Sequence, residues 1–139
     1  MATVDLIGDA EVVPAVRAVF DDIRKTRGSD FINNFWRALA HDPATLKAVW
    51  EEAKTVMAPG ALDPLVKELI YIAVSSANGC SYCVHSHTAA ARAKGMTEQQ
   101  HQELVRVIGT AGKTNHMVNA MQVPVDPEFD MIEHATVGD

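Results

Sequence analysis

The chain has 139 residues and a formal net charge of -6, with 47% hydrophobic and 22% charged residues. This length suits one domain with its own hydrophobic core, and the composition is that of a globular protein, which excludes a disordered or fibrous chain. The acidic balance, with no basic cluster beyond the patch at residues 24–27, predicts that neither nucleic acid nor a membrane is a partner.

Helix start and stop signals divide the first half of the chain into three predicted helices. Residues 1–11 show no periodic pattern and are predicted to be a mobile lead-in. Pro14 opens the first helix, and Gly28 ends it in the left-handed conformation that glycine accepts. Ser29 or the aspartate after it is expected to cap the second helix. Asp42, followed by proline, opens the third.

The second half gives a similar series of predicted helices. Its signals in chain order are Asp63-Pro64, which opens a helix; Asn78-Gly79, which turns the chain; Ser81 to Lys94, a helix closed by Gly95; and a capping box from Thr97 to Gln100. Gly109 and Gly112 weaken the later pattern, so a separate short helix is predicted to start at Thr114. Residues 124–139 are expected to form an irregular acidic tail. No strand pattern occurs, which predicts an all-α, single-domain helical bundle covering residues 1–139.

Both cysteines of the chain lie in one Cys-x-x-Cys motif, as Cys80 and Cys83, at the predicted start of a helix. Free backbone N–H groups and the helix dipole favour a thiolate at that place. His87 follows Cys83 by four residues, so the imidazole shares a helix face with the thiol and can accept its proton. In a reducing compartment such a pair is expected to be catalytic or metal-binding rather than structural.

Glu68 lies in the segment LVKELIYIAVSSA, which is apolar on nearly every helical face and is therefore predicted to be buried. Burial is expected to raise the pKa of this carboxyl group toward the range useful for acid–base catalysis. The alternative is a structural ion pair with Lys67 or Arg92. Ser75 lies two turns further along the same face, so a helical hairpin would bring both residues to the cysteines and the histidine.

The spacing Glu68-x6-Ser75-x4-Cys80-x2-Cys83-x3-His87, with the string CSYCVHSHTAAARAKGMT, resembles the signature of the AhpD-like alkylhydroperoxidases of the carboxymuconolactone decarboxylase superfamily. The resemblance covers a core motif at about residues 65–112. It implies an all-helical fold with the active site on a helical hairpin, and assembly of several copies as a trimer or hexamer. No cofactor and no metal is expected.

The resemblance also implies a role for each residue of the motif. Cys83 would be the sulfur that a hydroperoxide oxidises, and Cys80 would then form a disulfide with it, while Glu68 and His87 relay protons. An external dithiol, such as a lipoyl-bearing protein, would restore the pair. Some members carry a histidine where this chain has Tyr82, which is expected to support the site together with the buried serine. The chain is thus predicted to be a thiol-dependent peroxidase.

Three other interpretations stay open at this point. The cysteines could form a structural zinc half-site with His85 and His87, although zinc sites usually draw a second ligand pair from elsewhere in the chain. The motif could also belong to a non-catalytic helical protein that senses redox state or holds a metal. The third is a lactone decarboxylase of the same superfamily, which generally lacks the cysteine pair.

The chain carries no recognisable targeting signal in its sequence. The segment MATVDLIGDAEVV is acidic and lacks a basic region followed by an apolar run. The apolar stretch Leu69 to Val74 is far shorter than the roughly 20 residues that a membrane-spanning helix needs. A cytoplasmic location is therefore expected.

Overall fold

A computed structural model describes residues 1–130 of the chain, and every regular element in that range is an α-helix. The helices in chain order are α1 (Pro14–Arg27), α2 (Asn34–Leu39), α3 (Pro43–Met57), α4 (Pro64–Ala77), α5 (Ser81–Ala93), α6 (Glu98–Met121) and α7 (Pro127–Asp130). The predicted all-α fold class is confirmed. The chain divides after Pro64 into two compact units, each of which is described here by itself. That they form one domain stays a prediction.

The first unit has an aromatic core between α1 and α3. Val16 and Phe20 of α1 are buried, as are Leu46 and Trp50 of α3, at the helical spacings that the sequence predicts. Trp36 of α2 meets Trp50 edge to face, with 5.5 Å between ring centroids and 83° between ring planes. This geometry is a favoured one for aromatic pairs because the positive edge of one ring faces the negative face of the other.

Most predicted helix ends are confirmed by their capping geometry. Gly28 follows α1 with a φ of 63°, in the left-handed region. Asp42 caps α3 because its carboxylate accepts the backbone N–H of Thr45 at 3.2 Å. The capping box that opens α6 is present in both directions between Thr97 and Gln100. Local side-chain chemistry therefore sets these boundaries, as capping rules predict.

The predicted start of the second helix is wrong. The sequence predicts a cap at Ser29 or Asp30, but the hydroxyl oxygen of Ser29 instead accepts the backbone N–H of Phe31 at 3.2 Å, which makes a local turn. Serine side chains compete with helical hydrogen bonds in this way. Helix α2 begins only at Asn34, after an extended residue at Asn33.

The predicted mobility of the N-terminal lead-in is not supported by its contacts. The backbone N–H of Ile7 donates to the carbonyl of Arg37 at 3.3 Å, and the guanidinium of Arg37 donates to the carbonyl of Ile7 at 2.9 Å. Arg24 forms two hydrogen bonds of 3.0 Å with the carboxylate of Asp9. Ile7 and Val12 also pack against the core of the unit. The segment is thus tied to the helices by polar and apolar contacts together.

The second unit has a smaller core. Ile72 of α4, Ala91 of α5 and Met96 are buried together, with Leu104 and Ile108 of α6 packed against them. Ala91 has no exposed surface, which lets its helix pack closely at that point. This cluster fixes the first half of α6 against the pair of helices that carries the cysteine motif.

Helix α4 is not buried on nearly every face, contrary to the prediction. Its buried residues include Glu68 and Ser75, whereas Val66, Ile70 and Val74 are between 40% and 53% exposed. An apolar sequence pattern alone cannot say which face is covered within the chain. The buried face of the helix thus combines Ile72 with the polar Glu68 and Ser75, while a second apolar face is left exposed by the single chain.

Helix α6 is continuous over 24 residues, so the predicted separate helix from Thr114 is also wrong. Gly109 and Gly112 each cost roughly 0.5–1 kcal/mol relative to alanine, which does not suffice to break a helix that is otherwise propagating. The hydroxyl group of Thr114 donates to the carbonyl of Ala111 at 3.2 Å inside the helix. It therefore does not act as an N-terminal cap.

The predicted irregular tail needs one correction. Residues 127–130 form the short helix α7 within it, which begins at Pro127, a residue suited to the first helical turn. The rest of the predicted tail, residues 131–139, lies outside the described part of the chain. None of the helices among residues 1–130 is long and apolar enough to cross a membrane.

Candidate active site

The turn between α4 and α5 determines where the cysteines lie. The N–H of Gly79 donates to the carbonyl of Ser76 at 3.2 Å, and the N–H of Cys80 donates to the carbonyl of Ser75 at 2.9 Å. With Gly79 at a φ of 70°, these two bonds make a Schellman ending for α4. Because Cys80 is also the N-terminal cap of α5, one residue ends one helix and starts the next.

Cys80 and Cys83 are joined as a disulfide across the first turn of α5, with 5.3 Å between their Cα atoms. The sulfur of Cys80 also accepts the N–H of Cys83 at 3.3 Å, and its carbonyl accepts the N–H of Val84 at 3.0 Å. The pair therefore sits at the helix start that the sequence predicts. The sulfur of Cys80 receives a backbone N–H donor and lies at the positive end of the helix dipole. Both effects favour a thiolate once the disulfide is reduced.

Replacing Gly79 by alanine tests the turn. The added methyl group would meet no atom within 4 Å, so the cost is the left-handed backbone alone. We expect a loss of about 1 kcal/mol in the free energy of unfolding, measured by urea denaturation. Gly109→Ala, inside α6 and equally free of contacts, is the control and should stabilise the protein by about 0.5–1 kcal/mol. A shift of the same sign in both variants would contradict the assignment.

Glu68 is held between two basic side chains of the second unit. Its side chain is only 5% exposed. One carboxylate oxygen lies 2.7 Å from Nδ1 of His87, and the other accepts a hydrogen bond of 2.9 Å from the ammonium group of Lys94. The predicted pairing of Glu68 and His87 across the helical hairpin is thus present in the structure. The ion pair of the carboxylate is formed with Lys94 rather than with Lys67 or Arg92.

The predicted direction of the Glu68 pKa is wrong. Burial does raise the pKa of this carboxyl group, but hydrogen bonds from His87 and Lys94, together with their charges, outweigh burial and hold the pKa below its ordinary value. A carboxyl group in this setting stays ionised at neutral pH. It is therefore suited to orient and balance a histidine rather than to donate a proton itself.

Tyr71 and Lys94 are site residues that sequence reasoning missed. The ring of Tyr71 stacks on that of His87, with 3.6 Å between centroids and 19° between planes. Tyr71 lies one turn after Glu68 on α4, and Lys94 lies two turns after His87 at the C-terminal cap of α5, so helical spacing is the signal that points to them. Neither residue is one of the five spaced positions from Glu68 to His87, and an exposed lysine near a helix end ordinarily indicates only a solvated terminus.

Ser75, Tyr82 and His85 are the remaining residues singled out from the sequence, and all three lie within the motif. The buried Ser75 supplies the carbonyl that holds the N–H of Cys80. Tyr82 is 46% exposed between the two cysteines. Nδ1 of His85 lies 2.9 Å from the carbonyl oxygen of Ser81 in its own helix. In this disulfide form no hydrogen bond within residues 1–130 joins His87 to either sulfur, so that link stays a prediction.

No group of three or more histidine, cysteine, aspartate or glutamate side chains within the described range is arranged to hold a metal ion. Two surface depressions lie along α6. One of about 390 Å³ is lined by His101, Gln102, Val105 and Arg106.

Comparison with known proteins gives a family and a structural relative. Residues 43–126 match the carboxymuconolactone decarboxylase family. The crystal structure of the alkylhydroperoxidase AhpD core from Rhodospirillum rubrum is 66% identical in sequence, with a TM-score of 0.91, over 93% of this chain and 97% of that one. The likeness therefore covers both the sequence and the arrangement of nearly the whole chain.

Curated relatives match at lower identity. The alkyl hydroperoxide reductase AhpD of Gluconacetobacter diazotrophicus is 33% identical over 99 residues, which is 71% of this chain and 48% of that protein. An uncharacterised protein of the cox locus in Paracoccus denitrificans is 40% identical over 55 residues, or 40% of this chain and 50% of that protein. The chain thus spans about half the length of these curated relatives.

Proposed function

The chain belongs to the carboxymuconolactone decarboxylase family, and we propose that it is an AhpD-like alkylhydroperoxidase that reduces organic hydroperoxides with the dithiol of Cys80 and Cys83. The observation that carries the proposal is the pairing of these cysteines as a disulfide in the first turn of α5. The chain can thus store the two oxidising equivalents of a peroxide within one helical turn. The name of the 66% identical relative, an alkylhydroperoxidase, supports the same activity.

The proposed base is His87, oriented by Glu68. Glu68 is ionised and lies 2.7 Å from Nδ1 of His87, so it is proposed to accept the proton on that nitrogen and to leave the lone pair on Nε2 free. His87 lies one helical turn after Cys83, so Nε2 is the atom proposed to take the thiol proton. A nucleophile, a base and a carboxylate that orients the base form a common catalytic arrangement.

The proposed reaction moves two electrons in two steps. The thiolate of Cys83 attacks one peroxide oxygen, the O–O bond breaks, and the departing alkoxide takes the proton from His87, which leaves a sulfenic acid and an alcohol. The thiol of Cys80 then attacks the sulfur of Cys83, so that a disulfide forms and water leaves. An external dithiol, such as a lipoyl-bearing protein, is proposed to reduce the disulfide again.

A thiol count tests the proposal. Reduced protein is mixed with one equivalent of an organic hydroperoxide, and thiols and alcohol are measured over time. We expect each chain to lose both of its thiols while one alcohol forms per disulfide. Unchanged thiols, or thiol loss without alcohol, would reject the peroxidase. Zinc analysis of the same sample addresses the metal-holding alternative, because stoichiometric zinc that survives mild chelation would point to it instead.

Assembly of several copies is also proposed, as a trimer or hexamer. Support comes from apolar side chains that the single chain leaves exposed on α4, including Val66, Ile70 and Val74, and from Val105 and Val107 on α6. Exposed apolar groups of this extent commonly mark contact surfaces between proteins. A cytoplasmic location, where thiols are kept reduced, is likewise proposed.

A further inference from the structure

We propose that Lys94 is a positioning residue of the site: its ammonium group keeps Glu68 charged and in place, so that Glu68 in turn fixes which nitrogen of His87 carries the proton. This inference rests on the proposed function for its catalytic meaning. Its structural content concerns three side chains of the second unit and can be measured without turnover.

The two oxygens of Glu68 have different partners. Oε2 faces Nδ1 of His87 at 2.7 Å, and Oε1 faces Nζ of Lys94 at 2.9 Å. With a side chain only 5% exposed, the carboxylate has little contact with water to compensate its charge. Lysine is permanently charged near neutral pH, whereas imidazole carries a charge only when protonated. Of these two partners, Lys94 is therefore the one that can balance the negative charge of Glu68 while His87 is neutral.

That distinction matters because a base must begin the reaction without its proton. If His87 were the sole partner, the buried carboxylate would be stabilised best by an imidazolium, and the lone pair on Nε2 would be lost. With Lys94 in place, Glu68 can be an anion and His87 a neutral donor through Nδ1 at the same time. The charge of Lys94 therefore allows His87 to act as the acceptor of the thiol proton.

The fold holds Lys94 where this role requires it. Lys94 follows the last residue of α5, and its own N–H donates to the carbonyls of Ala90 and Ala91. It lies two turns after His87 on the same helix face. Gly95, with a φ of 94°, turns the chain away directly afterwards. The end of the helix thus places a cation beside the inward-facing carboxylate of α4.

The other side chains near Glu68, His87 and Lys94 make contacts of other kinds. Tyr71 of α4 stacks on His87 through its ring. On α5, Arg92 forms a loose pair of 3.9 Å with Glu98, at the start of α6. Helix α6 contributes apolar side chains to the cluster beside the site. Within residues 1–130, no further ionisable side chain forms a hydrogen bond or ion pair with Glu68.

The test follows the side-chain carboxyl of Glu68 by 13C NMR during a pH titration of the oxidised protein, with the signal assigned by its loss in Glu68→Gln. In wild type the carboxyl should titrate below its ordinary pKa of 4.5. In Lys94→Met we expect its midpoint to rise by about one to three pH units, since a cation next to a carboxyl has that effect. Lys94→Gln should do the same.

Two variants separate charge from packing. Lys94→Arg keeps the charge and should keep the wild-type midpoint, whereas Lys113→Met removes one exposed lysine of α6 and should change nothing. In turnover assays, Lys94→Met should move the acid limb of the rate profile to higher pH and Lys113→Met should not. An unmoved Glu68 midpoint in Lys94→Met or Lys94→Gln would overturn the inference, as would a shift of equal size in Lys94→Arg. A normal titration with no peroxide turnover would instead count against the proposed activity alone.

Discussion

Replacing Cys83 by serine is expected to lower the rate of hydroperoxide reduction by a factor on the order of 10³ or more, in the range seen when a covalent nucleophile is removed. A serine hydroxyl stays protonated where a thiol at a helix start ionises, and oxygen cannot form the sulfenic acid on which the cycle depends. The change can be measured as alcohol formed in a single turnover of reduced protein. The substitution is nearly isosteric, so the fold should be retained.

Cys80→Ser is the matched control because it removes the other sulfur of the same helical turn. The first step should proceed at nearly the wild-type rate in that variant, and the sulfenic acid on Cys83 should persist and react with dimedone. The two cysteines therefore have different expected outcomes although they share one disulfide. Equal loss of alcohol formation in both variants would reject the assigned roles, and a trapped sulfenic acid in Cys83→Ser would reverse them.

The sequence predicts helix boundaries well wherever one side chain decides the boundary locally. Pro14, Asp42 and Thr97 mark helix starts that the structure confirms, and Gly28 marks an ending. It fails at Ser29 because a serine can satisfy a turn as readily as a helix. Such competition involves energies of about 1 kcal/mol, which neighbouring contacts decide and sequence spacing does not reveal.

Part of the candidate site could be predicted from the spacing of the motif. The spacing of Glu68 and His87 on two helices correctly predicts that they meet, because a hairpin superimposes their faces. Burial alone, however, gives the wrong direction for the Glu68 pKa, since the outcome depends on the number of cations that face the carboxylate. Lys94 supplies one of them, although it is not among the five spaced positions from Glu68 to His87. The sequence identifies the buried carboxyl group but not the charged side chains that surround it in the fold.

The exposure of α4 adds a second limit to the predictions from sequence. Its apolar residues were expected to face a core of the same chain, yet Val66, Ile70 and Val74 are exposed while Glu68 is buried. Periodicity reports that a helix face is apolar without saying which molecule covers it. A helix of this kind is consistent with the proposed assembly. The carboxylate itself is buried within the single chain before any partner is added.

Glu68→Gln is expected to reduce turnover by about 10² to 10⁴, the range for the loss of general acid–base function. The amide keeps the size of the side chain but can donate a hydrogen bond to Nδ1 of His87. That reversal favours the tautomer with the proton on Nε2, where the thiol proton must be accepted. The measurement is single-turnover alcohol formation across pH. Glu98→Gln, which alters an exposed carboxylate with loose 3.9 Å pairs to Arg92 and His101, is the control and should be unaffected.

The same variant should change how stability depends on pH, because the folded state holds the pKa of Glu68 below its ordinary value of 4.5. A lowered pKa contributes stability that is fully present above the unfolded value and is lost as the pH falls through the folded one. Wild type should therefore lose stability in acid more steeply than Glu68→Gln, as measured by urea unfolding from pH 7 down to about pH 3. Parallel curves for the two proteins, with an unchanged rate in the variant, would show that the carboxylate neither carries a charge nor orients the imidazole.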